Sequence, residues 1–228
     1  MTILIVLTSH DTLGDTGKKT GLWLEEFLAP FYEFTDANIP VRLATPAGGI
    51  APIDPLSIEM IESTDLYRRF ANDASLVKLL QNTEQLEKID AQEVDGVLYP
   101  GGHGPLFDLR TNPHSIRLIE SLFRTGKPVA TICHAGCVLL DAKATSGAPL
   151  VNGKNLTAFS DSEEVAAQLA EVVPYLVETE LKKLGANYSR APDWNEYIVR
   201  DGQLLSGQNP ASSRGVAKAL IEVLGIKV

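Results

Sequence analysis

Pro128-Val-Ala-Thr-Ile-Cys133-His134-Ala-Gly-Cys-Val-Leu-Leu140 decides how this chain is read. An apolar run enters a cysteine, two small residues follow the next histidine, and a second apolar, helix-capable run closes the stretch. Strand, nucleophile, helix is the layout of a nucleophile elbow. Its sharp turn lifts one side chain into the cleft above a sheet and aims the following backbone N–H groups at a developing oxyanion. Such a turn closes only between small residues, and Thr131, Ala135 and Gly136 supply them. The reading predicts Cys133 at the carboxyl end of a central parallel strand with a positive φ. A helix N-terminus beside the sulfur favours thiolate over thiol. A buried structural cysteine has the same local look. Adjacent side chains on a sharp turn diverge, so the His134 ring faces either the sulfur or a neighbouring carboxylate. Cys137 reads as a small apolar helix residue, because bridging it to Cys133 would distort the helix.

Working outward, the apolar runs at 3–7, 41–44, 96–99 and 128–132 are continuous rather than alternating, as in strands covered by helices on both faces. A weaker pair lies at 197–199 and 204–205. Asn112-Pro113 opens a helix with a cap and an N1 proline, Ile116, Ile119 and Phe123 form its apolar face, and Gly126 stops it. Residues 174–185 repeat the pattern with Val177, Leu181 and Leu184, and a last helix from Ser213 turns Val216, Leu220, Val223 and Leu224 inward. The alternation implies an α/β, flavodoxin-like, doubly wound parallel sheet with helices on both faces, one domain over 1–228. Residues 46–93 break the rhythm. Pro46, Gly48, Gly49, Pro52 and Pro55 lead into polar helical sequence, read as an insertion that caps a site, builds a dimer interface or simply covers surface.

With 44% apolar and 21% charged residues the chain is globular, and its formal charge of −9 argues against nucleic acid or an anionic membrane as partner. The opening apolar run is too short to span a bilayer or serve as a signal. Two cysteines four residues apart cannot staple a chain of 228, so a reducing, cytoplasmic setting is expected.

Other segments carry chemistry. Tyr99-Pro100-Gly101-Gly102-His103-Gly104 ends a strand with glycines that permit close backbone approach and a second oxyanion N–H, or simply a tight turn. In Thr20-Gly21-Leu22-Trp23-Leu24-Glu25-Glu26-Phe27-Leu28 a helix starts in which at most one of the two glutamates faces inward. Glu26 is the better placed, at a cost unless its carboxyl has a partner or a task. Phe159-Ser160-Asp161-Ser162-Glu163-Glu164 reads as an N-cap with acids in the first turn. His10, His103, His114 and His134 are scattered, and no set has structural-metal spacing, so no metal is expected.

Together these pieces resemble the PfpI/ThiJ superfamily, and within it the heat-shock chaperone and glyoxalase III branch, related to the glutamine-amidotransferase-like folds. The resemblance is carried by Thr20-Gly21 to Glu26 with Pro30, Gly101-Gly102-His103-Gly104, Ile132-Cys133-His134, Phe159 to Glu164, and Gly207-Gln208-Asn209-Pro210-Ala211-Ser212-Ser213. The sequence departs at Ala135-Gly136, where the family often has Gly-Pro. The resemblance implies Cys133 as nucleophile, His134 and Glu164 completing a triad (Glu163 being the alternative), Glu26 touching the sulfur, and Gly102 with His103 on the substrate and oxyanion side. It further implies a homodimer that needs no cofactor and converts methylglyoxal and similar α-oxoaldehydes to 2-hydroxy acids. Deglycation or peptide hydrolysis by the same thiolate, and a stress chaperone or oxidant sensor, are the rival functions. Amidotransfer is disfavoured, because no synthetase domain receives the ammonia.

Overall fold

The computed structural model describes residues 1–226. Its strands are β1 (Ile3–Val6), β2 (Val41–Thr45), β3 (Glu84–Gln85), β4 (Gly96–Tyr99), β5 (Val129–Ile132), β6 (Asn155–Leu156), β7 (Asn187–Tyr188), β8 (Ile198–Asp201) and β9 (Leu204–Gly207). Seven of them form one sheet in the order β3-β2-β1-β4-β5-β9-β8, and β6 pairs with β7 apart from it. The expected parallel sheet is found with one exception: β8 runs antiparallel to β9. The connection between them is only Gly202-Gln203, with Gly202 at φ 61, and a turn that short makes a hairpin rather than a crossover. From β1 the chain steps outward to β2 and β3, then returns on the other side of β1 as β4. That reversal opens a crevice beyond the carboxyl ends of β1 and β4, with β5 next to them.

The helices are α1 (Leu24–Asp36), α2 (Pro55–Ile61), α3 (Asp65–Ala71), α4 (Ala74–Gln81), α5 (Pro105–Asp108), α6 (Pro113–Arg124), α7 (Asp161–Ala166), α8 (Val177–Lys183) and α9 (Ser213–Val223). Strand side chains divide between two cores by their period of two. Ile3, Ile5, Leu98, Ala130, Ile132 and Leu205 pack under α1 and α9, whereas Leu4, Val6, Val97, Tyr99, Val129 and Leu204 pack on the other face with Leu118, Leu122 and Leu181. Burial on both faces explains why the strands read as unbroken apolar runs. Helix α6 begins as its sequence requires, with Asn112 Oδ1 accepting from the His114 and Ser115 N–H groups at 2.9 and 3.2 Å. Its buried face is Ser115, Leu118, Ile119 and Leu122, rotated from the expected Ile116, Ile119 and Phe123. The rotation turns the Ser115 hydroxyl to the buried Tyr99 hydroxyl at 3.1 Å.

Residues 46–93 are woven into the fold more tightly than an excursion. They supply edge strand β3 and bury Ala51, Ile61, Leu76, Leu80 and Leu86. They also brace the segment before α1: Leu22 N–H donates to Pro52 O at 2.9 Å, Asp54 N–H to Leu22 O at 3.0 Å, and Thr20 Oγ1 to Asp54 Oδ2 at 2.8 Å. Thr20 to Trp23 are therefore extended, and α1 starts at Leu24 rather than at the threonine. Among the described residues no helix is long and apolar enough to cross a membrane.

The turn after β5 is packed to contact. A Cβ on Gly136 would fall 2.7 Å from the Ala158 Cβ. Gly136→Ala is therefore expected to destabilise the protein by about 1–3 kcal/mol, the usual cost of overpacking. A urea midpoint equal to the parent's would show that the turn yields instead.

Candidate active site

Cys133 follows the extended Ile132 directly and has φ 58, the positive value an elbow requires. The chain continues as a 3₁₀ helix over Cys133–Leu139 rather than an α-helix, and every residue of it is buried. The Phe159 N–H donates to the Cys133 carbonyl at 3.2 Å, so the loop before α7 is tied to the elbow.

The turn folds the His134 imidazole back instead of splaying it away. His134 Nδ1 lies 3.2 Å from Cys133 Sγ, and Nε2 lies 2.6 Å from Glu164 Oε2. Glu164 Oε1 is 3.1 Å from His103 Nε2, and the two imidazole centroids are 4.2 Å apart. A carboxylate only accepts, so each Nε2 carries the proton it donates, leaving His134 Nδ1 as an acceptor toward the sulfur. The two neighbouring glutamates point in different directions. Glu163, at the third helical position, closes a capping box with Ser160, and Glu164 points to the imidazoles.

On the opposite side of the sulfur lies Glu26, in the first turn of α1 and fully buried. Its Oε2 accepts the Gly101 N–H at 2.7 Å, while Oε1 has no geometrically sound hydrogen-bond partner. The carboxyl and the Cys133 side chain are neighbours across Gly101. Gly101 has to be glycine: a Cβ there would lie 2.6 Å from Glu26 Oε2 and 2.9 Å from the Cys133 Cβ. Gly102, at φ 93, packs its Cα side against the backbone of Gly21 and Trp23.

Thus Cys133, His134, Glu164, His103, Glu26 and the Gly101-Gly102 turn converge from four separate stretches. The His103 ring faces Glu164 through Nε2. The histidines that looked scattered require correction. His103, His134 and Glu164 hold donor atoms within 4.8 Å of one another, a grouping able to ligate a transition metal. Its two contacts at 2.6 and 3.1 Å equally form a complete hydrogen-bonded set, with both carboxylate oxygens used.

A model of the DJ-1/PfpI family matches residues 20–223. The chain belongs to the DJ-1/PfpI family. It is 28% identical to the glutathione-independent glyoxalase HSP31 of Saccharomyces cerevisiae, over 97% of each chain. Among solved structures it is similar to the Rapid Encystment Protein 24 KDa of Francisella tularensis (33% identity, TM-score 0.93, 98% of each chain). It is also similar to glyoxalase III of Candida albicans (25% identity, TM-score 0.88, 98% of this chain and 97% of that one).

In this DJ-1/PfpI protein the two glutamates are driven in opposite directions. Burial pushes Glu26 up to about 8, outweighing the opposing influence of Cys133 and of the Gly101 N–H. Burial resists ionisation of Glu164 too, but the flanking His134 and His103 hold it well below the usual carboxylate range. Burial, then the neighbouring His103, keeps His134 below the ordinary imidazole value despite Glu164. Burial and the Glu26 carboxylate push the Cys133 thiol well above its usual range, with the His134 N–H opposing them. This corrects the expectation of a helix-stabilised thiolate: the short 3₁₀ turn does not offset a dry site with a second acid in it. At neutral pH the Cys133–Glu26 pair therefore carries at most one negative charge and titrates as a unit.

The sign of the resulting pH dependence follows from Glu26. Its folded value lies above its value of 4.5 in the unfolded chain, so between these the folded state holds a proton that the unfolded state has released. The Glu26 contribution is complete below pH 4.5 and is lost as pH rises toward about 8. Within that window the parent should lose up to about 1.4 kcal/mol per pH unit relative to Glu26→Gln. Parallel curves for the two proteins in urea melts across the window would disprove a protonated Glu26.

Proposed function

We propose that this protein is a glutathione-independent glyoxalase that converts methylglyoxal and similar α-oxoaldehydes to 2-hydroxy acids, with Cys133 as nucleophile. The observation that carries the reading is the fully buried Glu26, one oxygen fixed by the Gly101 N–H and the other unpartnered, beside a cysteine whose far side meets a neutral histidine. An acid and a base of separated proton affinity on the two sides of one nucleophile suit a reaction that moves protons between adjacent carbons. The named glyoxalase activities of the yeast relatives support the same reading.

In this mechanism the Cys133 sulfur adds to the aldehyde carbon, the carbonyl oxygen takes the proton of Glu26, and the thiol proton passes to the Glu26 carboxylate left behind, giving a hemithioacetal. The N–H groups of Gly102 and His134 are the donors assigned to the developing oxyanion. His134 Nδ1 removes the proton from the sulfur-bearing carbon, and its Nε2–H is steadied on Glu164. The protonated His134 returns that proton to the adjacent carbon, and the hydroxyl proton on the sulfur-bearing carbon passes through Glu26 to the neighbouring oxygen, so the adjacent carbon becomes the alcohol carbon and the sulfur-bearing carbon a thioester. Water cleaves the thioester to the 2-hydroxy acid and restores the thiol. Each step uses only residues of this chain.

Cys133→Ala should abolish lactate formation from methylglyoxal without glutathione. Glu26→Gln, which keeps an N–H donor but relays no proton, should lower turnover by roughly 10²-fold while Cys133 alkylation near neutral pH stays close to the parent's. Lactate production surviving in Cys133→Ala, followed by chiral analysis, would refute covalent catalysis. The free, buried thiols suit a reducing compartment such as the cytoplasm. We also assign a homodimer, to which Leu56 and Met60, exposed one turn apart on α2, would contribute. Light scattering should read twice the 24.7 kDa chain mass, and a monomer at micromolar concentration would exclude it.

A further inference from the structure

The 207–213 motif has no part in the chemistry above, yet Asn209 within it is fully buried. Its Nδ2 donates to Glu163 Oε1 and to the Asn195 carbonyl, both at 2.8 Å. The same Glu163 oxygen accepts the Trp194 backbone N–H at 2.9 Å, and Oε2 accepts from the Ser160 N–H and hydroxyl at 3.0 and 2.8 Å. A buried carboxyl group adjacent to Glu164 and a buried amide thus clamp residues 194–195. What they hold is a strained backbone: Trp194 has φ 65, a left-handed value that a bulky side chain adopts rarely. Strain of this kind gathers where surroundings over-determine a position for function, and Cys133 shares it.

The clamped indole is 50% exposed, which is high for so large an apolar group in a rigid setting. Its inner edge meets Phe159, with ring centroids 5.8 Å apart. Phe159 lies 4.2 Å from the His134 ring, and His134 lies 4.2 Å from His103. Four rings therefore form a series, His103–His134–Phe159–Trp194, that passes the sulfur at His134 and ends at the half-exposed indole. Glu26 and the Gly101 turn fill the opposite side of Cys133. A substituent on the carbon that joins the sulfur, lying on the side away from Glu26, would meet this series of rings.

We propose that Trp194 is a specificity-determining residue, which together with Phe159 receives the substituent of the α-oxoaldehyde and favours a flat aromatic group over methyl. The assignment rests on the glyoxalase reading. It requires no step beyond those given above, because the substituent is carried through the reaction unchanged. The role of the 207–213 motif is then positional: Asn209 and Glu163 present the indole.

The test compares kcat/KM for phenylglyoxal and methylglyoxal in the full-length parent, Trp194→Ala and Trp194→Phe. The phenylglyoxal-to-methylglyoxal ratio should fall about 5- to 10-fold in Trp194→Ala, the size of one aromatic contact, and recover at least half-way in Trp194→Phe. A ratio unchanged while both values fall would show a purely structural tryptophan and overturn the proposal. A second readout does not need turnover. Mandelate, the 2-hydroxy acid of phenylglyoxal, should quench tryptophan emission in the parent and much less in Trp194→Ala, where Trp23 is the remaining indole. A parent that turns over neither aldehyde sinks the glyoxalase reading, and the mandelate titration still decides this one: equal quenching in both proteins, or none, overturns it.

Discussion

The hydrogen bond from the Gly101 N–H to Glu26 Oε2, 2.7 Å long, joins the turn after β4 to the first turn of α1 and holds a carboxyl beside Cys133 at the end of β5. Much of the surrounding structure serves that contact. Gly101 has no room for a Cβ, the Trp23 N–H returns a bond to the Gly101 carbonyl at 3.0 Å, and residues 52–54 brace Leu22 from behind. Pro30 sits inside α1 and lacks the N–H that would bond to the Glu26 carbonyl four residues back, so the helix is locally opened at the residue that enters the site. A buried carboxyl with one unpartnered oxygen is costly, and it persists because the fold over-determines its position.

The chemistry then depends on two glutamates with opposite environments. Glu26 is surrounded by apolar groups and another acid, so it keeps its proton; Glu164 faces two imidazole N–H groups, so it loses its own. His134 lies between them in effect, fixed through Nε2 on Glu164 and free at Nδ1 toward the sulfur. A cysteine in this setting is a poor standing thiolate, which weighs against a freely oxidised sensor and in favour of a nucleophile that ionises as its proton is shared with Glu26.

Parts of the site were legible in the sequence for reasons that are local. A strand running into Cys133 between small residues pointed to the positive φ that the structure has. A spacing of four from Leu22 favours Glu26, but Leu22 lies in the segment before α1, so the inward turn of Glu26 is set by the packing of a helix buried on most of its surface. Glu163 and Glu164 were ambiguous because both lie in one helical turn, and their division of labour depends on what approaches: Ser160, Trp194 and Asn209 on one side, two imidazoles on the other. His103 carried no signal of its partner, since 61 residues separate it from Glu164.

For the fold, continuous apolar runs and capped helices determined by themselves that a sheet lies under helices on both faces, because each pattern reports burial of its own segment. Rotation of α6 about its axis, the antiparallel β8 and the edge strand β3 were decided only by tertiary packing, where a hydroxyl partner for Tyr99, a two-residue turn and an open sheet edge outweigh local preference. The same division holds for function. Sequence alone determined which residue types with the needed chemistry were present and that a cysteine stood at a strand's end. Tertiary structure decided their proton states, because desolvation and the distances between charges are properties of the folded interior and have no counterpart along the chain.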